Sequence, residues 1–294
     1  MARVAIVGVG AIGGVVASLL QSAGRHELVL CVRRPLAELV VETPGAAMRI
    51  DAAVLADPAD ATAVDWVIVA TKAYDVEGAA QWLKGLCAKG AAVAVLQNGV
   101  EHCERFAPFV AMGKIVPVIV DCPAERRSPK RIVQRGPMSL KVPEGSLGAE
   151  FVGLFAGSGA DAAVVSDWVT VAWRKLCHNA AGAVSALLLK PNGVMQDEKL
   201  GDVALQIVRE CVAVGKAEGA MLSDSVPEDV LAAYRRAAPE GVNSLLADRM
   251  AGRPMEIDAR NGVIVRMGKK HGIATPTNSM AVALLEATCG QLSG

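Results

Sequence analysis

The sequence lacks a surplus of charge of either sign. Its 294 residues include 30 Lys and Arg and 30 Asp and Glu, so the formal net charge is zero. Proteins that bind nucleic acids or anionic membranes usually carry an excess of basic residues on one surface. The chain also has no apolar run long enough to cross a bilayer and no signal-peptide pattern. We therefore expect neither a nucleic-acid nor a membrane partner.

Paired cysteine and histidine motifs are absent as well. No Cys-x-x-Cys occurs, and the number of cysteines, seven, is odd. His26, His102, His178 and His271 are far apart and lack the spacing of metal ligands. This pattern predicts reduced thiols in a cytoplasmic protein without a metal site. The cysteines are Cys31, Cys87, Cys103, Cys122, Cys177, Cys211 and Cys289.

A glycine motif near the N-terminus is the most informative feature. Residues 3–7 form a short apolar run typical of a buried parallel strand, and residues 15–20 continue as a helix. The intervening residues match the G-x-G-x-x-G fingerprint in its required strand–turn–helix context. They are Gly8, Val9, Gly10, Ala11, Ile12 and Gly13.

Each glycine of this motif has a separate expected role. Gly8 permits the sharp turn, Gly10 allows the backbone to approach a pyrophosphate, and Gly13 lets the helix pack against the strand. The phosphates would lie at the helix N-terminus, where free N–H groups and the helix dipole favour an anion. A glycine-rich structural turn is the alternative, but the context favours dinucleotide binding.

Two arginines follow the second apolar run, residues 28–32. An NAD-binding fold usually has Asp or Glu near this position to bind the adenosine ribose, whereas this chain has Arg33 and Arg34. Arginine pairs well with phosphate. The sequence therefore predicts NADP, and the alternative is a solvated basic turn.

Two polar residues follow further buried strands. Lys72 comes after the apolar run 66–70, and Asn98 comes after the run 92–96. In doubly wound sheets, ligands bind outside the C-terminal ends of the strands, so both residues are candidates for cofactor contacts. An exposed lysine and an Asn-Gly turn are the alternatives, and each residue taken alone leaves the choice open.

Strand and helix patterns alternate in the first part of the chain and give way to helices alone. This predicts an α/β fold, with an N-terminal Rossmann-like doubly wound parallel sheet followed by an all-helical domain. We predict domains at 1–166 and 167–294. Further expectations are a strand at 115–120, a hairpin joining 131–133 to 138–142, an edge strand at 162–165, and helices at 168–189, 197–218, 227–237, 253–270 and 277–288.

Lys175 and Asn179 lie four residues apart in the first long helix, so they share one face. Their helix is strongly apolar. A lysine buried there is costly unless it is paired or functional, although its stem also allows the ammonium group to reach solvent.

Several motifs lie in order along the chain: residues 8–14, Thr71-Lys72, Gln97-Asn98-Gly99, residues 173–176 with Asn179, residues 243–248, Glu256-Ile257-Asp258 with Asn261-Gly262, and residues 271–276 with Asn278. In these motifs, which span nearly the whole chain, the sequence resembles the ketopantoate reductase family. The resemblance implies NADPH-dependent reduction of a 2-oxo acid to a 2-hydroxy acid.

The resemblance also implies roles for individual residues. Lys175 would be the general acid that protonates the carbonyl oxygen, and Glu256 would hold the lysine and the new hydroxyl. Ser244, Asn98 and Asn179 would contact the substrate, and a cleft between the domains would hold the site. The apolar content of the helical domain permits a homodimer without requiring one.

Alternative interpretations remain for these residues. Ser244 is also a candidate helix cap, Glu256 a first-turn acid, and His178 a proton donor. The alternative functions are a β-hydroxyacid dehydrogenase and a non-catalytic NADPH sensor. Many family members carry a second asparagine where this chain has Ala183, which predicts that ketopantoate is a modest substrate and that a branched or aromatic 2-oxo acid does as well or better.

Overall fold

A computed structural model describes residues 1–288. These residues form two compact units. The first unit comprises Met1–Gln97 and Glu101–Trp168, and the second comprises Asn98–Val100 and the chain from Val169 onward. The predicted domain boundary at residues 166 and 167 stays a prediction. The six cysteines in the described part of the chain are free thiols. Cys289 lies outside the described residues.

Thirteen strands are present among the described residues: β1 (Ala2–Val7), β2 (His26–Cys31), β3 (Val40–Thr43), β4 (Ala46–Arg49), β5 (Ala53–Leu55), β6 (Trp66–Val69), β7 (Ala92–Val95), β8 (Ile115–Pro117), β9 (Ile119–Asp121), β10 (Ala124–Ser128), β11 (Arg131–Gln134), β12 (Ser139–Pro143) and β13 (Asp161–Val165).

The α-helices of the described residues are α1 (Ala11–Ser22), α2 (Val76–Leu86), α3 (His102–Phe106), α4 (Ser146–Leu154), α5 (Trp168–Ala181), α6 (Ala183–Leu188), α7 (Glu198–Ala217), α8 (Val226–Arg236), α9 (Ser244–Met250), α10 (Val263–His271) and α11 (Pro276–Thr288). No helix in residues 1–288 is long and apolar enough to span a membrane.

The main sheet of the first unit has six parallel strands in the order β5-β2-β1-β6-β7-β8. The chain proceeds outward from β1 through β2 to β5 and then returns to β6 on the other side of β1. Strand order therefore reverses between β1 and β6, which is where doubly wound sheets bind ligands. The predicted doubly wound parallel sheet is confirmed.

Apolar residues cover both faces of this sheet. Val4 and Ile6 belong to one buried cluster, whereas Ala5 and Val7 belong to another. Because side chains alternate along a strand, an uninterrupted apolar run supplies both clusters at once. This explains why such short runs identified β1, β2, β6 and β7, whose residues are mostly buried.

Two smaller sheets complete the first unit, with strand orders β10-β11-β3-β4 and β13-β12-β9. The predicted hairpin of residues 131–133 with 138–142 is wrong. Its two strands, β11 and β12, lie in different sheets, and β11 pairs with β10 and β3 instead. The Arg135 N–H donates to Pro123 O at 2.7 Å, so the connecting residues join another segment rather than closing a tight turn.

The predicted strand at 115–120 is divided between two sheets. Its first half is β8 at the edge of the main sheet, and its second half is β9, which pairs with β12. Pro117 ends β8 and has no N–H with which to extend a ladder. The predicted edge strand near residue 162 is confirmed as β13, at one edge of its sheet.

The second unit is helical from Val169 onward, as predicted, but the single helix expected over 168–189 is wrong. It is interrupted at Gly182, which separates α5 from α6. Side chains from elsewhere take the backbone carbonyls at this point. The Tyr234 hydroxyl donates to His178 O at 3.1 Å, and Asn243 Nδ2 donates to Gly182 O at 3.3 Å.

The helix predicted over 253–270 begins later than expected. Residues through Glu256 are not helical, a π-helical turn covers Asp258–Gly262, and α10 follows. The Arg253 N–H donates to Asp248 O at 2.9 Å, so this residue still closes the end of α9. The helices predicted at 197–218, 227–237 and 277–288 are confirmed as α7, α8 and α11.

Candidate active site

The glycine loop of the first unit has the geometry that its sequence predicts. Gly8 follows β1 with a φ of +93°, in the region that favours glycine. A Cβ at Gly13 would lie only 2.1 Å from Gly8 O. No larger residue fits at Gly13 unless this strand–helix turn moves.

The side of the loop at Gly10 is open. A Cβ at Gly10 would meet no heavy atom of the described chain within 4 Å. Gly10 is the N-cap of α1, which has no side-chain cap and no acidic residue in its first turn. The helix N–H groups and dipole thus face a space that a Cβ would enter, which suits an anionic pyrophosphate.

One contact to this loop was not anticipated. Arg126 in β10 donates from Nη1 to Val9 O at 2.8 Å, and from Nη2 to Pro129 O at 2.6 Å. The guanidinium therefore attaches the glycine loop to β10. No sequence signal indicated this contact, because Arg126 lies far along the chain in a strand without a motif.

Arg33 and Arg34 are exposed just beyond β2. Arg33 Nη1 lies 3.6 Å from Asp75 Oδ2, and the Arg33 side chain is 82% exposed. An exposed pair of this kind is weak and leaves the guanidinium available to another anion. The phosphate contact of Arg33 and Arg34 stays a prediction, and the partner Asp75 was not foreseen.

The loops after β6 and β7 are joined by a single side chain. Gln97 Nε2 donates to Thr71 Oγ1 at 3.0 Å and to Lys72 O at 3.2 Å. His102 Nε2 forms a hydrogen bond with Gln97 O at 2.8 Å. Burial lowers the pKa of His102 to about 4, with smaller and partly opposing effects from Gln97 O and nearby charges, so the ring is neutral. Lys72 is half-buried beside these contacts.

Three predicted site residues meet in the second unit. Asn98 Nδ2 donates to Glu256 Oε2 at 2.9 Å, and Asn179 Nδ2 donates to Asn98 Oδ1 at 3.3 Å. Glu256 is only 4% exposed, while both asparagines are half-buried. Asn98 is 81 residues from Asn179 and 158 residues from Glu256 along the chain, so the fold alone brings these groups together.

Lys175 is half-buried one helical turn before Asn179 on α5, so the two residues share a face. Ser244 is exposed at the first position of α9. The cap of α9 is Asn243, whose Oδ1 accepts from Leu245 N and Leu246 N at 3.1 Å. The helix-cap alternative for Ser244 is therefore wrong.

The other two alternatives also have structural outcomes. Glu256 precedes the helix, so it is not an acid of the first helical turn. His178 stacks on Tyr234 with ring centroids 4.7 Å apart. Nothing in this stacking brings His178 into the Asn98–Glu256 cluster.

Arg260 is a site residue that the sequence analysis missed. It is 2% exposed and donates from Nη2 to Asn179 O at 2.7 Å and from Nη1 to Ser244 Oγ at 3.5 Å. Burial lowers the pKa of Arg260, and the charges of Tyr234, Glu256 and Asp248 act in the opposite direction. The available signal was its position between Glu256 and Asn261, two residues of the motif that carries the family resemblance.

Metal ligands are not clustered in the described part of the chain: no three His, Cys, Asp or Glu side chains there are placed to bind an ion. A glycine-rich anion cradle on a doubly wound sheet, followed by a helical unit with clustered polar residues, defines a Rossmann-type dehydrogenase.

Comparison with known proteins identifies the particular family. Residues 4–146 match the family described as ketopantoate reductase PanE/ApbA, and residues 167–288 match ketopantoate reductase PanE/ApbA C terminal. The chain belongs to the ketopantoate reductase family.

Individual relatives match over almost their whole length. A 2-dehydropantoate 2-reductase from Caulobacter vibrioides is 50% identical, with 98% of this chain and 99% of the relative covered. One from Mycobacterium tuberculosis is 40% identical, with 97% of both chains covered. The crystal structure of a PanE/ApbA family ketopantoate reductase from Ralstonia eutropha JMP134 has a TM-score of 0.90 at 29% identity, covering 98% of this chain and 99% of that one.

Proposed function

We propose that the protein is a 2-dehydropantoate 2-reductase, which reduces the 2-oxo acid ketopantoate to the 2-hydroxy acid pantoate with NADPH. The observation that carries this proposal is the Asn98–Glu256–Asn179 cluster next to Lys175 on one helix face. Family membership supports the same reaction. We also propose a cytoplasmic location, which the cysteine pattern favours.

The first unit supplies the groups that fit the dinucleotide. The open side of Gly10 suits the pyrophosphate, Arg33 and Arg34 suit a 2′-phosphate, and Lys72 follows β6 at the point where strand order reverses. NADPH, when bound, supplies the hydride. The preference for NADPH over NADH rests on the two arginines and on the missing acidic residue after β2.

The second unit supplies the proton and the substrate contacts. Reduction builds negative charge on the carbonyl oxygen, and a positioned ammonium group both stabilises that charge and donates a proton. We assign this role to Lys175. Glu256 would hold the lysine and the new hydroxyl, and its hydrogen bond from Asn98 fixes the orientation of the carboxylate.

Asn98, Asn179 and Ser244 are proposed to contact the substrate. The two asparagines are linked to each other, so their amide groups are held in one arrangement before any ligand binds. Such preorganisation reduces the entropy lost on binding. Ser244 offers an exposed hydroxyl to a polar group of the substrate.

The substrate preference predicted from Ala183 stays a prediction. Ala183 is fully buried in the core of the second unit, just after the interruption at Gly182. The register Lys175, Asn179, Ala183 therefore crosses a break between two helices. Because Ala183 is fully buried, it offers no exposed surface to a substrate, and ketopantoate remains the proposed substrate.

The test measures the decay of NADPH absorbance with ketopantoate, 2-oxoisovalerate, phenylpyruvate and a 3-oxo acid. The highest kcat/KM is expected for ketopantoate. The kcat of Lys175→Ala is expected to be at most about one-hundredth of the wild-type value. Preference for the 3-oxo acid would instead indicate a β-hydroxyacid dehydrogenase. NADPH binding without turnover of any of these substrates would indicate a sensor.

A further inference from the structure

Arg260 carries a buried positive charge beside two of the proposed substrate contacts. Its side chain lies in the π-helical turn Asp258–Gly262 and is 2% exposed. Burying a charge costs free energy. π-helical turns are rare in proteins, and those that occur are often found at functional sites. The burial of this charge and its position in a π-helical turn both indicate that the guanidinium has a functional role.

The hydrogen bonds of Arg260 are incomplete. Nη2 donates to Asn179 O at 2.7 Å, while the contact from Nη1 to Ser244 Oγ is long at 3.5 Å. Nε is buried without a hydrogen-bond partner. A guanidinium has five N–H donors, so its capacity exceeds what these contacts use.

The carboxylates near Arg260 have other partners. Glu256 accepts from Asn98, and Asp248 accepts from Arg253 Nε at 2.9 Å. Their charges also act on Arg260, because both carboxylates raise its pKa against the effect of burial. The guanidinium therefore interacts with these carboxylates through charge, while its Nε donor has no hydrogen-bond acceptor.

The contact with Ser244 has a direction. Arginine has no acceptor, so Nη1 donates and Ser244 Oγ accepts. The hydroxyl proton of Ser244 is then directed to a different acceptor on its exposed side. A carboxylate is such an acceptor, and a nearby positive charge strengthens the bond.

We propose that Arg260 is the positioning residue of a carboxylate subsite, in which it orients the Ser244 hydroxyl toward the carboxylate of the 2-oxo acid and makes the site selective for an anionic substrate. This inference rests on the proposed function. It assigns to the pair of Arg260 and Ser244 the discrimination between a 2-oxo acid and an uncharged 2-oxo compound of the same shape.

A purely structural role would have a different signature. Arg260 also helps to end α5, as do Tyr234 and Asn261, which donate to His178 O and Ala180 O. Loss of such a contact lowers stability but does not depend on the charge of the substrate. Tyr234→Phe is therefore the matched control, because it removes one helix-end hydrogen bond without removing a charge.

The experiment compares 2-oxoisovalerate with its methyl ester, which has the same reacting carbonyl but no charge. Arg260→Gln is expected to raise KM for the acid about ten- to a hundredfold and to leave KM for the ester within about twofold. Arg260→Lys is expected to lie between Gln and wild type for the acid, since it keeps the charge but loses the planar fork. Tyr234→Phe is expected to leave the acid-to-ester ratio unchanged.

Binding of the product 2-hydroxyisovalerate, measured by calorimetry, gives a second readout without turnover. Its affinity is expected to fall by the same factor in Arg260→Gln, and a Ser244→Ala, Arg260→Gln double variant is expected to lose less than the sum of the single losses. If Arg260→Gln does not fold, Arg260→Lys and the wild-type acid-to-ester ratio decide the question.

Equal changes for acid and ester, or a wild-type enzyme that does not prefer the acid, would overturn the inference. Failure of the proposed function is distinguishable, because the wild-type protein would then reduce none of the 2-oxo acids. If the wild-type protein reduces 2-oxo acids and Arg260→Gln has the same KM for the acid as the wild type, only the role of Arg260 is overturned.

Discussion

Gly10 and Gly13 of the nucleotide loop should respond differently to the addition of one methyl group: the change at Gly13 should lower stability, and the change at Gly10 should weaken NADPH binding. At Gly13 the new Cβ would lie 2.1 Å from Gly8 O, a backbone atom that cannot rotate away. Overpacking of this kind costs about 1–3 kcal/mol. At about 2–4 °C per kcal/mol, Gly13→Ala is expected to lower the melting temperature by about 2–12 °C.

At Gly10 the same methyl group meets no protein atom within 4 Å, and the φ of −82° suits any residue. The stability of Gly10→Ala should therefore lie within about 0.5 kcal/mol of wild type. The methyl group would instead occupy space proposed for the pyrophosphate. Loss of one charge-assisted hydrogen bond there corresponds to about a tenfold to hundredfold weaker Kd for NADPH.

The assays are thermal unfolding of the unliganded protein and fluorescence titration with NADPH. Gly153→Ala is the control, because Gly153 lies in α4 with open space around its Cβ position. It should keep wild-type NADPH affinity and gain up to about 1 kcal/mol of stability. Normal NADPH binding by Gly10→Ala, or normal stability of Gly13→Ala, would refute the reasoning.

Three further predictions follow from the two units. Lys175→Ala should lower kcat by about two to four orders of magnitude while the Kd for NADPH stays within about twofold, and near-normal turnover would move the proton donor elsewhere. Changing Arg33 and Arg34 together to alanine should raise KM for NADPH far more than KM for NADH, and equal effects would contradict the phosphate contact. His102 has an ordinary pKa of 6.5 and a folded-state pKa of about 4, so its neutral burial stabilises the protein fully above pH 6.5 and loses that contribution as the pH falls toward 4. The loss amounts to about 3 kcal/mol, and urea unfolding of His102→Gln across this range should show a shallower pH dependence than wild type.

Local patterns predicted the parts of the fold that depend on neighbouring residues. The strand, glycine loop and helix at the N-terminus follow from an apolar run and three glycines within a few residues of each other. Strands β1, β2, β6 and β7 were recognisable because both of their faces are buried, which leaves few polar residues to interrupt the apolar run. The edge strand β5 was not predicted, because it is short and largely exposed.

The errors arose where distant residues decide the structure. β11 pairs with β3, some ninety positions earlier, so no local turn signal reveals its partner. The interruption at Gly182 depends on Tyr234 and Asn243, whose side chains take the carbonyls of an otherwise continuous helix.

The candidate site divides in the same way. Lys175 and Asn179 were identified by their spacing, because one helix turn places them on the same face. Asn98 and Glu256 were linked only through the family resemblance, since no spacing relates positions so far apart. Arg260 was missed because an arginine in a helix normally indicates a solvated surface, and only the fold shows that it is buried.

The short segment Asn98–Val100 belongs to the second unit, although the chain on both sides of it belongs to the first. A single cut near residue 168 would therefore separate Glu256 from the amide that donates to it. The helical unit therefore cannot be exchanged between relatives as one continuous segment of the chain. A chimera that exchanges only the C-terminal half of this chain would inherit its Asn98 from the other parent, so recombination of relatives should keep the 98–100 segment together with the helices that contact it.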